Sequence, residues 1–185
     1  MTTMPFRMPG VAREELDARM AASYDKAMHQ AGEANVVEVL ANSGVVTEFF
    51  FDDFYGKLFH GGQVDVRYKE ILRLCLSSTH GCRSCNLNNR HSALAAGLTE
   101  TDIEALLKRD NAYFAGADLA VCELADQLEL SNAQGQLTAS AYAALRAHFD
   151  DAGIVELAMI GGVLCGVAKM LFALNLVQRE AYCKF

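Results

Sequence analysis

The sequence is short of positive charge. Its 185 residues carry 16 Lys and Arg against 23 Asp and Glu, a formal net charge of −7. Nucleic acids and anionic membranes both need basic surface, so neither is expected as a partner. A secretory leader is also missing: positions 1–10 hold one arginine, two prolines and no apolar core, which makes the cytoplasm the expected compartment. No stretch alternates with a strand period, and no internal repeat stands out. The chain has no second Cys-x-x-Cys and no paired histidines with which to complete a four-ligand zinc site. No metal or cofactor is therefore expected.

What remains is helical patterning. Val11 to about Gln30, Glu33 to Asn42, Val45 to Phe59 and Asp65 to about Ser78 each carry apolar residues at helical spacing. The third of these is rich in aromatics: Phe49, Phe50, Phe51, Phe54, Tyr55 and Phe59. They predict core, a subunit interface or the wall of a substrate pocket. Thr99-Glu100-Thr101-Asp102 resembles a capping box with Asp in the acidic position, opening a short helix to Lys108. Further helices are expected over Asp118 to Leu130, from Thr138 to about Phe149, and over Ile154 to Val177. The last run is apolar enough to raise the question of a membrane span, but Glu156 and Lys169 lie within it and Gly161-Gly162 interrupts it. A core or interface helix is the better reading. The expectation is an all-α chain of about eight helices: a flexible arm over 1–10, then a single helical domain over 11–185. The apolar surface of the aromatic and last helices points to a homo-oligomer.

The chain is organised around Glu70 to Leu98. Of the six cysteines, Cys75, Cys122 and Cys165 fall in apolar helical patterns and read as small buried hydrophobes. Cys183 lies in the tail and is expected to be exposed. Only Cys82 and Cys85, in Cys82-Arg83-Ser84-Cys85, have a spacing that implies chemistry: a shared disulfide, or half of a metal site. Thr79-His80-Gly81 reads as a turn before them. Leu87, His91, Leu94 and Leu98 then recur at helical spacing, so Cys82 stands at a helix start. Unpaired N–H groups and partial positive charge at that position favour thiolate over thiol, and Arg83 adds a cation.

Glu70, eleven residues, Cys82-x-x-Cys85, and a helix ending in Gly97-Leu98-Thr99-Glu100 together resemble the carboxymuconolactone decarboxylase superfamily, in its alkylhydroperoxidase D-like branch. The resemblance covers about Phe50 to Leu130. It implies an all-helical bundle of the alkylhydroperoxidase D-like type, assembled as trimers or hexamers. Its redox members reduce peroxides with the two cysteines and are re-reduced by a thiol partner protein. Glu70 carries over as the relay acid, and Cys82 and Cys85 as the redox pair. The family's relay histidine, four residues after the second cysteine, does not carry over: that position is Asn89.

Residues 82, 85 and 89 share one helix face. If α-helices before and after Gly81 form a hairpin, Glu70 comes level with Asn89 and is positioned to hold its amide; apart from the resemblance, it reads as a helix-surface carboxylate paired with Lys69 or Arg73. Asparagine can orient a water but cannot shuttle a proton near neutral pH. His91 falls in the apolar stripe and reads as a core or interface histidine. His80 reads either as an exposed turn residue or as a substitute base for the sulfurs. The leading expectation is a thiol-dependent peroxidase or thiol–disulfide oxidoreductase, with a peroxide or disulfide substrate. Helix-start chemistry favours Cys82 as first nucleophile, whereas the resemblance assigns that role to Cys85. Alternatives are a decarboxylase-like enzyme of aromatic catabolism, for which no substrate-binding arginines can be placed from sequence, and a non-enzymatic redox-sensing oligomer.

Overall fold

Side-chain caps set most of the helix starts. The structure is a computed structural model, and it describes residues 7–185. The helices are α1 (Ala18–Ala31), α2 (Asn35–Leu40), α3 (Gly44–Thr47), α4 (Val66–His80), α5 (Arg83–Ala95), α6 (Glu100–Lys108), α7 (Gly116–Leu128), α8 (Ala139–Arg146) and α9 (Asp151–Ala173). Helix α3 runs on without a break into a π-helical segment, Glu48–His60. The all-α class is as expected, and no strand occurs among the described residues beyond one isolated bridge between Cys82 and Arg179.

The caps explain where boundaries differ from the sequence pattern. The first helix starts at Ala18 rather than Val11 because the Asp17 carboxylate accepts from Met20 N at 2.8 Å. The preceding residues make only a short 3-10 turn, Arg13–Glu15. Likewise Asp150 accepts from Gly153 N at 2.8 Å and starts α9 three residues ahead of Ile154. The Thr99–Asp102 capping box forms in both directions, at 3.1 and 2.8 Å. Of the arm expected over 1–10, positions 1–6 lie outside the described residues. Of the rest, Pro9 O accepts from Asn42 at 3.0 Å, and just past the arm Val11 N donates to Glu38 O at 2.9 Å.

Helix α4 is the central element and packs against α5, α6, α7 and α9. Every residue from Lys69 to Ser78 on it is buried. Its apolar side chains, Ile71, Leu72 and Leu74, are wholly enclosed. Lys69 is enclosed too, and a buried ammonium needs full compensation. It receives that from Glu156 of α9 at 2.6 Å and from Leu58 O at 3.0 Å. Glu156 in turn accepts from Gln63 N and Val64 N at 2.9 and 3.1 Å.

Among the described residues α9 is the one helix long and apolar enough to cross a membrane. Its inner face, Ile154, Leu157, Ile160 and Cys165, lies in the core, and with the Lys69 pair this supports the core-helix reading. Gly161 permits the close crossing with α7: a Cβ there would meet Leu128 Cδ1 at 2.5 Å. The outer face of α9 leaves Val155 65% and Met159 56% exposed.

Candidate active site

Helix α4 closes at Gly81, whose φ of 69° is left-handed. A side chain there would also strike the backbone of Cys183, with a Cβ 2.8 Å from its Cα. The chain reverses at this point, and Cys82 becomes the N-cap of α5. Its sulfur accepts from Cys85 N at 3.2 Å. Cys82 and Cys85 form a disulfide across 5.2 Å between Cα atoms. Residues 177–185 fold back over this helix start. Arg83 N donates to Gln178 O at 2.9 Å and Glu180 N to Gly81 O at 2.8 Å. Cys183 is consequently half-buried rather than exposed, and its thiol donates to His80 O at 3.1 Å.

The two sulfurs differ in access. Cys82 is 1% exposed and sits in a small apolar cluster with Leu171, Phe172, Leu176 and Val177. Cys85 is half-buried and lines a cavity of about 370 Å³. That cavity has an aromatic wall from the π-helical segment (Phe50, Phe51, Tyr55), with Arg73, Asn88 and Asn89 beside the sulfur. The wider helix brings these rings to one side, while Phe54 and Phe59 point into the core. Of the roles expected for the aromatic run, it therefore fills two, core and pocket wall. A smaller cavity of about 90 Å³ also borders Cys85 and touches Cys82, Ser77 and His80.

Glu70 is wholly buried, not a surface carboxylate. It does not hold Asn89. Arg73, one turn along α4, takes the carboxylate with bonds of 3.0 and 2.7 Å. Burial pushes the Glu70 carboxyl above its usual range, and Arg73 works against that shift. Arg73 lines both cavities and Glu70 neither. The guanidinium also stacks over the Phe59 ring at 4.8 Å. Asn89 is buried as expected on the cysteine face, but its amide donates to Ser77 Oγ at 3.2 Å.

His80 is the last residue of α4 and is 1% exposed, so it is not a surface turn residue. Its Nε2 accepts from Leu130 N at 3.1 Å, which places the ring proton on Nδ1. Burial lowers its pKa to about 4. The imidazole is thus neutral, tied to α7's far end, and a weak base for a thiol. His91 is exposed between half-exposed Leu87 and Leu94, which rules out a core position and leaves the interface reading.

Of the two partners weighed for Glu70, Arg73 is the one it takes, in a buried pair rather than on the surface. Two features were not foreseen. Asn88 has a buried side-chain oxygen with no partner on the cavity wall. Glu33 accepts from Ser84, between the two cysteines, and from Gln178 N at 3.1 Å. No local pattern links Glu33 to a helix start some fifty residues away.

An all-helical bundle that presents a Cys-x-x-Cys disulfide at a helix start, beside an aromatic-walled cavity, defines a dithiol protein of the alkylhydroperoxidase D-like fold. Residues 47–127, which carry α4 to α6 and α7 short of its last residue, match the model of the Carboxymuconolactone decarboxylase family. No curated protein matches the sequence. Among solved structures, it is similar to an uncharacterized peroxidase-related protein with an alkylhydroperoxidase AhpD core from Ralstonia eutropha JMP134. The TM-score is 0.73 at 16% identity, covering 97% of this chain and 95% of that one. A peroxidase-related protein from Silicibacter sp. TM1040 gives 0.70 at 16% identity, with 97% and 96% covered. A cysteine-to-alanine variant of the debrominase Bmp8, in complex with 2,3,4-tribromopyrrole, gives 0.69 at 16% identity, with 97% and 94% covered. At this identity the likeness establishes the fold.

Proposed function

We propose that the protein is a thiol-dependent peroxidase or thiol–disulfide oxidoreductase that cycles Cys82 and Cys85 between dithiol and disulfide. The observation that carries this is the disulfide at the start of α5 with one sulfur facing a cavity and the other enclosed. Access assigns the first attack to Cys85. Its thiolate attacks the terminal oxygen of a hydroperoxide, the O–O bond breaks, and the leaving alkoxide takes a proton from solvent to give the alcohol. Cys85 is left as a sulfenic acid. Cys82, whose thiolate is supported by the α5 N–H groups, attacks that sulfur and forms the disulfide, and the hydroxide it displaces takes a proton from solvent and leaves as water. A dithiol reductant then restores both thiols and is itself oxidised to a disulfide. Asn88 Oδ1 supplies an acceptor for the hydroperoxide O–H. Asn89 and Ser77 hold the pocket's shape. Asn89 stands where a relay imidazole would, and His80 is held neutral with its Nε2 bonded to Leu130 N, so slow turnover is expected.

The physiological setting proposed is the cytoplasm, with a thiol reductant protein as partner. A homo-oligomer, a trimer or hexamer, is proposed to cover the exposed faces carrying Leu87, His91 and Leu94 on α5 and Val155 and Met159 on α9. The test is hydroperoxide consumption with a dithiol reductant by the wild type, Cys82→Ser and Cys85→Ser. Loss in both variants, with sulfenic acid trapped in Cys82→Ser alone, supports the scheme. Equal rates in all three sink it.

A second reading keeps the pair and changes the substrate. The aromatic wall suits a flat halogenated ring, the kind of ligand bound by the debrominase variant. The ring would exchange C–Br for C–H, bromide would leave, and the dithiol would become the disulfide. Bromide release from a bromopyrrole in the presence of a dithiol tests it.

A further inference from the structure

The cavity beside Cys85 is large for its proposed chemistry. Its volume of about 370 Å³ falls in the range of roughly 300–1,000 Å³ that receives organic ligands. Hydrogen peroxide, little bigger than a water, would leave most of it unfilled. Three rings, Phe50, Phe51 and Tyr55, supply a flat apolar wall.

The charged groups around it are unequally committed. Glu33 is bonded to Ser84, Gln178 N and Asn35 Nδ2. Arg73 is held by Glu70. Lys26, from α1, lines the cavity, and no hydrogen bond or ion pair engages its ammonium among the described residues. His60 lines the same end, and its imidazole is kept neutral by burial first and then by the nearby charges of Arg73, Lys69 and Lys26. Among the described residues Lys26 is therefore the charged group of this lining that no hydrogen bond or ion pair engages, in a cavity that also holds the sulfur of Cys85.

We propose that this cavity binds an organic acid, with a ring-sized apolar body against Phe50, Phe51 and Tyr55 and a carboxylate at Lys26. The inference rests on the reading of Cys85 as the accessible cysteine. It narrows the substrate of that site from any peroxide or disulfide to one carried on an acidic organic molecule. Lys26, the three rings and Cys85 all line this one cavity, so a single molecule can meet all of them. The exposed ammonium on the lining also favours acids over neutral compounds of the same shape.

The experiment reads binding and needs no turnover. Cys85 of the reduced protein is alkylated with iodoacetamide, and its labelling rate is followed by mass spectrometry. The probes are 2-naphthoate and its neutral analogue 2-naphthylmethanol. The expected result is saturable protection by 2-naphthoate at a concentration at least about fivefold lower than the alcohol requires. In Lys26→Met that preference falls to about twofold or less, while protection by the alcohol is unchanged. Lys26 is exposed, and a matching thermal melt shows that the variant is folded. Equal protection by both probes, no protection by 2-naphthoate, an undiminished preference in Lys26→Met, or a Cys85 that iodoacetamide does not reach would each overturn the inference. A protein that binds 2-naphthoate but consumes no peroxide keeps this inference and loses the peroxidase reading. One that consumes hydrogen peroxide without naphthoate protection does the reverse.

Discussion

Cys75 and Cys122 bring their sulfurs to 3.7 Å where α4 meets α7, and both stay free thiols. Two turns further along, Cys82 and Cys85 are joined. Proximity is common to the two pairs, so proximity does not separate them. The first pair lies in the main core, with Cys75 1% and Cys122 0% exposed. The Cys75 thiol is pushed up by its contact with Cys122 and by burial. No oxidant reaches it, and no helix terminus favours its thiolate. The second pair has both advantages: Cys82 caps α5 with an N–H aimed at its sulfur, and Cys85 opens on a cavity. A functional dithiol needs access and a stabilised anion, and a short S–S separation alone supplies neither.

The comparison can be broken most directly by exchanging the pairs' fates. Cys85→Ser is expected to lower thiol-dependent peroxide consumption by about 10³-fold or more, as loss of a nucleophile usually does. Cys75→Ala, only two turns away, should leave the rate within about twofold. A comparable loss in Cys75→Ala would show that the buried pair takes part in turnover.

A second test uses His80, the α4 residue that lies between the two pairs. Its folded pKa of about 4 is below the unfolded value of about 6.5, so the unfolded chain takes up the proton first as pH falls. The stability gained from neutral His80 is complete above pH 6.5. It declines between pH 6.5 and 4, by up to about 3 kcal/mol. Urea midpoints measured across that window should fall for the wild type and flatten for His80→Gln. Between pH 6 and 9, by contrast, His80→Gln should not move the pH profile of turnover. A shifted profile would restore His80 as a base.

Asn89→His sharpens the comparison by adding to the active pair what neither pair has. An imidazole near its ordinary pKa can accept a thiol proton and return it, help typically worth about 10²–10⁴ in rate. Because Asn89 is buried against Ser77, an increase of about tenfold in peroxide consumption is the expected outcome. No gain would mean that proton transfer does not limit the reaction. The smallest effect concerns stability: Cys75→Ala removes one buried sulfur from the core and should cost about 1–2 kcal/mol in urea denaturation.

The helical class, the cysteine pair and its helix-start position were legible because each rests on local signals. Apolar spacing, Gly81 before Cys82, and the Thr99–Asp102 box all act within a few residues. Burial of Cys75, Cys122 and Cys165 followed from the same spacing. The arrangement of polar groups was not legible. Glu70 and Asn89 do come to the same region, but Arg73 claims the carboxylate and Ser77 claims the amide. Which of several donors wins depends on side-chain geometry that spacing does not carry. His80 illustrates the same limit. Its position at a turn left open an exposed residue or a base for the sulfurs, and neither reading contained Leu130 N, fifty residues on, the donor that lets it be buried. The tail's return over α5 had no sequence signal at all.

That return has a consequence for the order in which the protein is made. The bonds from Glu180 N to Gly81 O and from Arg83 N to Gln178 O join segments nearly a hundred residues apart, and contacts of that span close late in folding. At a synthesis rate of about 5–20 residues per second, the two cysteines leave the ribosome roughly 5–20 s before the tail does. Through that interval the nascent chain carries a vicinal dithiol without its cover. The newborn protein is therefore most open to crosslinking before it has the means to use those thiols.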